Sequence, residues 1–226
     1  LHKPQDRFIT LPEGRLLGYA EYGVPNGSPV LFFHGSPGSS YIHSDMAGIA
    51  AQRGIRLIAV DRPGYGLSGS QPGRTMLAWP DDIAVLADVL GLQRFAIIGF
   101  SGGSPYTLAC AYKLPNRVTK IALAGAFAPQ EAPGVMEGMS PMVSGLYALA
   151  QANPDELKNT LAAVAPSPAA LVEAMSASLP EWDKIEVKKR TAEFETEYTK
   201  TLRGGLRVLP PTLCWRQKPG GSHWTA

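Results

Sequence analysis

The chain has 226 residues, 45% of them hydrophobic and 18% charged, with a formal net charge of +2 at pH 7. That length supports one domain with a sizeable core, and the composition is that of an ordinary globular protein. It carries no Lys/Arg stripe, interleaved aromatic platform or acidic tail, and no apolar run near the ~18 residues of a membrane span, so neither nucleic acid nor membrane is an expected partner.

Arg7 to Leu11 and Leu16 to Tyr22 read as an antiparallel hairpin across Pro12-Glu13-Gly14. Val30 to Phe33 is a short buried strand leading into the loop His34-Gly35-Ser36-Pro37-Gly38-Ser39-Ser40. Ile42 to Arg53 has helical spacing and stops at Gly54. Ile55 to Val60 is the next buried strand and enters Asp61-Arg62-Pro63-Gly64-Tyr65-Gly66-Leu67-Ser68. Thr75 to Leu90 is amphipathic, with Ile83, Leu86 and Leu90 on one face and Gly91 as its stop.

Arg94 to Phe100 is a third buried strand, and it runs into Gly99-Phe100-Ser101-Gly102-Gly103 before the helical pattern of Ser104 to Leu114. A Gly-x-Ser-x-Gly turn between a parallel strand and a helix holds a serine hydroxyl out at the strand's carboxyl end. Gly99 and Gly103 must then be small, because side chains flanking so tight a turn would collide with it. Ser101 is the candidate nucleophile, and the Gly102 amide, in the new helix's first turn, is aimed to receive developing negative charge.

Val118 to Leu123 is a further strand. Strands alternating with helices after an opening hairpin imply an α/β fold with a doubly wound, mostly parallel sheet, its site at the strands' carboxyl ends. From residue 129 the texture changes. Gly, Pro, Met and Ala dominate Pro129 to Pro141, and helical segments follow at Asp155 to Val164, Pro168 to Ser178 and about Glu186 to Leu202. We read 1–128 as the core, 129–203 as a helical cap over the strand ends, and 204–226 as an atypical tail. Met136, Met139, Met142 and Tyr147 suggest an apolar pocket wall or cap packing.

His34-Gly35-x-Pro37-Gly38, Asp61-Arg62-Pro63-Gly64-Tyr65-Gly66-x-Ser68 and Gly99-x-Ser101-x-Gly103 together resemble the α/β-hydrolase fold family, over about residues 7 to 203. The closest likeness is to the group of alpha/beta fold hydrolases whose helical cap follows the sixth strand. The resemblance implies that Ser101 attacks a carbonyl and that the amides of Ser36 and Gly102 form the oxyanion hole. His34 and Asp61 are then expected to brace loops rather than act as base and acid. Serine at the elbow argues against haloalkane dehalogenase and epoxide hydrolase chemistry, which uses aspartate there.

A serine hydroxyl needs a base, and the base an orienting acid. In the family both follow strands that lie beyond the cap. Here the last acidic residue is Glu197 and the only late histidine is His223, which follows Pro211-Thr212-Leu213-Cys214-Trp215 too soon for a parallel crossover. His223 is therefore a weak candidate base. The tail's texture suggests a truncated chain lacking the last strands of the fold, with a shift of reading frame near residue 208. The expected function is a serine-nucleophile hydrolase of small ester or amide substrates working through an acyl-enzyme, impaired by loss of acid and base. The alternative is a non-catalytic or defective protein of the same fold. Cys110 and Cys214 stand in no C-x-x-C or metal spacing, so a reducing cytoplasm is expected, and no cofactor or metal is implied.

Overall fold

The structure, a computed structural model, describes residues 6–126, 128, 133–135, 137, 139, 141–164, 167–177, 179–201, 216–217 and 224–225. His223, Cys214, Met136 and the segment Pro211 to Trp215 lie outside the described residues, as does the side chain of Met142.

Six strands form one mixed sheet: β1 (Arg7–Thr10), β2 (Leu16–Gly23), β3 (Ser28–Phe33), β4 (Ile55–Val60), β5 (Phe95–Phe100) and β6 (Val118–Ala124). Their order is β1-β2-β4-β3-β5-β6. The hairpin β1–β2 is antiparallel and joins the rest through an antiparallel β2–β4 pairing, while β4, β3, β5 and β6 run parallel. The fold is therefore α/β with a mostly parallel sheet, as the alternation of elements predicts.

The central strands are apolar on both faces because both faces are covered. Leu31 and Phe33 point to one side, with Ile58, Val60, Phe95 and Ile97, against α2 (Trp79–Val89) and α3 (Ser104–Lys113). Val30 and Phe32 point to the other, with Leu57 and Ala59, against Ala50 of α1 (Ser44–Gln52). Trp79 joins the first layer, edge-on to Phe33 at 5.2 Å and to Tyr106 at 5.6 Å.

Register brings the site together. Phe33 at the end of β3 pairs with Val60 of β4 and with Gly99 of β5, so three carboxyl ends finish level. The loops after them, which contain Gly35, Asp61 and Ser101, emerge side by side.

Three element boundaries differ from the sequence reading. The stretch expected as one helix from Thr75 opens with a single tight turn at Met76–Ala78, and α2 proper starts at Trp79 because Pro80 fits only a first turn. A helix not foreseen, α4 (Pro141–Ala152), precedes α5 (Pro154–Val164) and α6 (Pro168–Ser176). The span read as one helix from Glu186 is two, α7 (Glu181–Lys189) and α8 (Thr191–Thr201). The Thr191 hydroxyl bonds back to the carbonyls of Val187 and Lys188, offering the backbone a local alternative to continuing the helix.

Helix α8 returns to the core. Glu193 and Glu197 reach His43 at 3.0 and 3.4 Å, Ser44 donates to Glu193 at 2.6 Å, and Lys200 pairs with Asp6 at 2.7 Å. Among the described residues β6 is an edge strand, with Ile121 and Leu123 each 40% exposed. No helix of the described residues is long and apolar enough to cross a membrane.

Candidate active site

Ser101 is the one described non-glycine residue with positive φ, at 48°. It opens a tight turn, Ser101–Gly103, that connects β5 directly to α3. Left-handed backbone is unfavourable for a residue with a Cβ, so its neighbours must hold it there. They do so by crowding. A Cβ on Gly103 would stand 2.1 Å from the Phe33 carbonyl oxygen, and one on Gly99 would stand 2.3 Å from the Thr107 hydroxyl. Both glycines singled out by the sequence are thus required by close approach.

The loop after β3 lies against this turn. A Cβ on Gly35 would sit 3.1 Å from the Ser101 Cβ, and one on Gly102 would sit 3.4 Å from the Ser36 nitrogen. Gly102 lies in a first helical turn, whose N–H groups have no acceptor within the helix. Ser36 and Gly102, the expected oxyanion-hole residues, are therefore brought alongside Ser101.

His34 is 2% exposed and both of its ring nitrogens are committed. The Arg62 N–H donates to Nε2 at 3.0 Å, so the proton sits on Nδ1, which donates to the Gly35 carbonyl at 2.7 Å. Burial, reinforced by the Arg62 charge, holds the imidazole well below its ordinary pKa, so it stays neutral. Its ring packs edge-on to Tyr65 at 4.9 Å. Asp61 is equally engaged: it accepts from the N–H groups of Ser40 and, at 3.0 Å, of Leu67. Burial raises its pKa against those bonds. Both residues tie the loop after β3 to the loop after β4 or brace their own loop, the bracing part expected of them.

Arg62 was not among the expected site residues. Its side chain is fully buried, and it donates to the Gly102 carbonyl at 2.9 Å, the Gly35 carbonyl at 2.6 Å and the Ser36 hydroxyl at 2.6 Å. The guanidinium also stands 4.8 Å from the Tyr65 ring centre and 4.9 Å from that of Tyr106. Arg74 lies 5.1 Å from the same Tyr106 ring and donates to its hydroxyl. A guanidinium between loop residues leaves no periodic trace, so only the proximity of Arg62 to Asp61 could have raised it.

Of the expected pocket residues, Tyr147 is buried on α4, which pushes its pKa up to about 12, and Met139 is half-buried. Among the described residues the Ser101 hydroxyl has no hydrogen-bond partner, and no group of His, Cys, Asp or Glu is placed to hold a metal.

The described strand, loop and turn fit one family. A model described as the alpha/beta hydrolase fold matches residues 28–204. The chain is 35% identical over 124 residues to a non-heme chloroperoxidase of Streptomyces lividans, across 54% of this chain and 45% of that protein. It is 29% identical over 123 residues to a proline iminopeptidase of Neisseria gonorrhoeae, across 53% and 39%. The chain thus spans less than half the length of these curated relatives. An esterase from Rhodococcus sp. ECU1013 has the same fold, with a TM-score of 0.65 at 20% identity over 94% of this chain and 72% of that one. The family match spans most of the chain and includes the strand, the serine turn and the helix that follows. On that ground the protein belongs to the alpha/beta hydrolase fold family.

Proposed function

We propose that the chain carries the nucleophile and oxyanion hole of a hydrolase acting on small esters or amides. The observation that carries this reading is the positive φ of Ser101, at 48°, on a turn between a parallel strand and a helix. In the first step the Ser101 oxygen bonds to the substrate carbonyl carbon and gives its proton to a base. The carbonyl oxygen takes the negative charge and accepts from the N–H groups of Ser36 and Gly102. Collapse expels the alcohol or amine with a proton, and water then releases the acid from the acyl-serine. Helices α4 to α8 serve as a cap that shapes the acyl pocket.

One observation favours a second reading, in which the fold is kept and turnover is weak. Among the described residues nothing hydrogen-bonds the Ser101 hydroxyl. The two described histidines are committed elsewhere, His34 within its loop and His43 to Glu193 and Glu197. His223 is the remaining candidate base. Removal of triad partners still leaves about 10³–10⁴-fold catalysis over water, so slow hydrolysis is compatible with either reading.

The test is labelling by a fluorophosphonate together with hydrolysis of an activated ester. Fast labelling lost in both Ser101→Ala and His223→Ala supports the first reading with His223 as base. Labelling lost in Ser101→Ala alone removes His223 from the site. No labelling of the unsubstituted chain favours the second reading.

A further inference from the structure

Arg62 takes no part in the bond-making just described, yet it touches both segments that carry the proposed oxyanion donors. We propose that Arg62 is the positioning residue of the oxyanion hole, turning the Ser36 N–H toward Ser101 by holding the carbonyl of Gly35. This rests on the reading of Ser101 as nucleophile.

The argument begins with one peptide plane. The Gly35 carbonyl and the Ser36 N–H belong to the same amide, and Ser36–Pro37 is the one cis bond among the described residues, so the Gly35–Ser36 bond is trans. In a trans amide C=O and N–H point in opposite directions. Two donors hold the Gly35 oxygen on the buried side: Arg62 at 2.6 Å and His34 Nδ1 at 2.7 Å. The Ser36 N–H is therefore turned the other way, and no described backbone or side-chain group accepts from it. Gly35 itself lies against Ser101, so that free N–H faces the site side of the loop. Without those two donors the plane could flip and present a carbonyl oxygen, which would repel the developing charge.

The same bonds make the donor stronger. Hydrogen bonds to an amide oxygen draw charge from its nitrogen and polarise the N–H. Arg62 also holds the Gly102 carbonyl at 2.9 Å, which fixes the second loop against the first. One rigid fork thus sets the spacing of the two donors.

The charge balance argues for more than packing. Among the described residues Arg62 makes no ion pair; its partners are two carbonyls, a hydroxyl and two aromatic faces. A guanidinium is permanently cationic, and a buried cation without a carboxylate is expensive unless an anion forms nearby. The oxyanion is such an anion, and it forms only as Ser101 attacks.

An arylboronic acid tests this, because its adduct with serine is tetrahedral and anionic and needs no turnover. In the unsubstituted chain, ¹¹B NMR should show the tetrahedral adduct, absent in Ser101→Ala. Arg62→Met should bind the boronic acid about tenfold or more weakly, a part of the ~10²–10³ lost with a whole oxyanion donor. Adding the boronic acid should also move the Ser36 amide proton downfield in the unsubstituted chain and clearly less in a folded Arg62→Met, a difference that a merely structural arginine would not produce. A folded Arg62→Met with affinity within twofold of the unsubstituted chain overturns the proposal and leaves the hydrolase reading standing. If Arg62→Met does not fold, a Ser36 amide resonance unmoved by a boronic acid that does form the adduct overturns it equally. No tetrahedral adduct in the unsubstituted chain overturns both.

Discussion

Gly103 lies so close to the carbonyl oxygen of Phe33 that a Cβ there would be 2.1 Å from it. The obstacle is backbone at the end of a central strand, which cannot move without displacing β3 from both of its neighbours. Gly103→Ala should therefore destabilise the fold by about 1–3 kcal/mol or more. Gly48, within α1, meets nothing within 4 Å. Gly48→Ala should stabilise by about 0.5–1 kcal/mol. Urea unfolding of the two variants checks the contrast, and equal midpoints would contradict it.

His34 should stay neutral throughout the range in which the protein is folded. Its folded pKa is depressed by burial and by Arg62, whereas the unfolded chain protonates near the ordinary ~6.5. Below that value the unfolded state binds more protons, so this residue's contribution to stability is full above about 6.5 and is lost as pH falls toward the folded pKa. Imidazole ¹⁵N shifts should report an Nδ1–H tautomer that does not titrate between pH 8 and 6.

His43 should behave in the opposite sense. Its pKa is raised, first by the hydrogen bond its ring donates to the Glu197 carboxylate, against the opposing effect of burial, with Glu193 adding to it. Tyr41 and Phe194 pack against its ring, and the Ser44 hydroxyl donates to Glu193. The link to α8 is then fully present below ~6.5 and is lost as pH rises through the raised folded value. Because these side chains are partly exposed, it is worth about 0.2–1 kcal/mol. The stability gap between the unsubstituted chain and His43→Gln should narrow on going from pH 6 to pH 9. A gap that widened would contradict the assignment.

β6, an edge strand among the described residues, should drive self-association. Ile121 and Leu123 share one face of the strand, and each is 40% exposed. Exposed apolar edges template pairing with other chains, and charge on the edge blunts it. Ile121→Lys and Leu123→Lys should each lower concentration-dependent light scattering while leaving the unfolding midpoint nearly unchanged.

The central strands and the serine turn were legible because their signals are local. A strand covered on both faces must be a continuous apolar run, as in Ile55 to Val60, and a turn that admits no Cβ must show glycines at fixed places, as at Gly99 and Gly103. The rest depends on residues far apart in the chain. His43 meets Glu193 across 150 positions, and the partners of Arg62 come from two other loops. Helix α4 was missed because its proline start, internal Gly145 and lack of charged residues blur the helical period. The break between α7 and α8 follows from hydroxyl-to-carbonyl bonds at Thr191, which the apolar pattern does not encode.

Residue 101 bears a standing penalty that its own identity creates. With φ at 48°, a side chain there costs about 1–2 kcal/mol that glycine would escape. Ser101→Gly thus offers the molecule an easy gain in robustness at the expense of its only chemically useful hydroxyl on that bend. The resilience of this fold and its reactivity are set against each other at a single α-carbon.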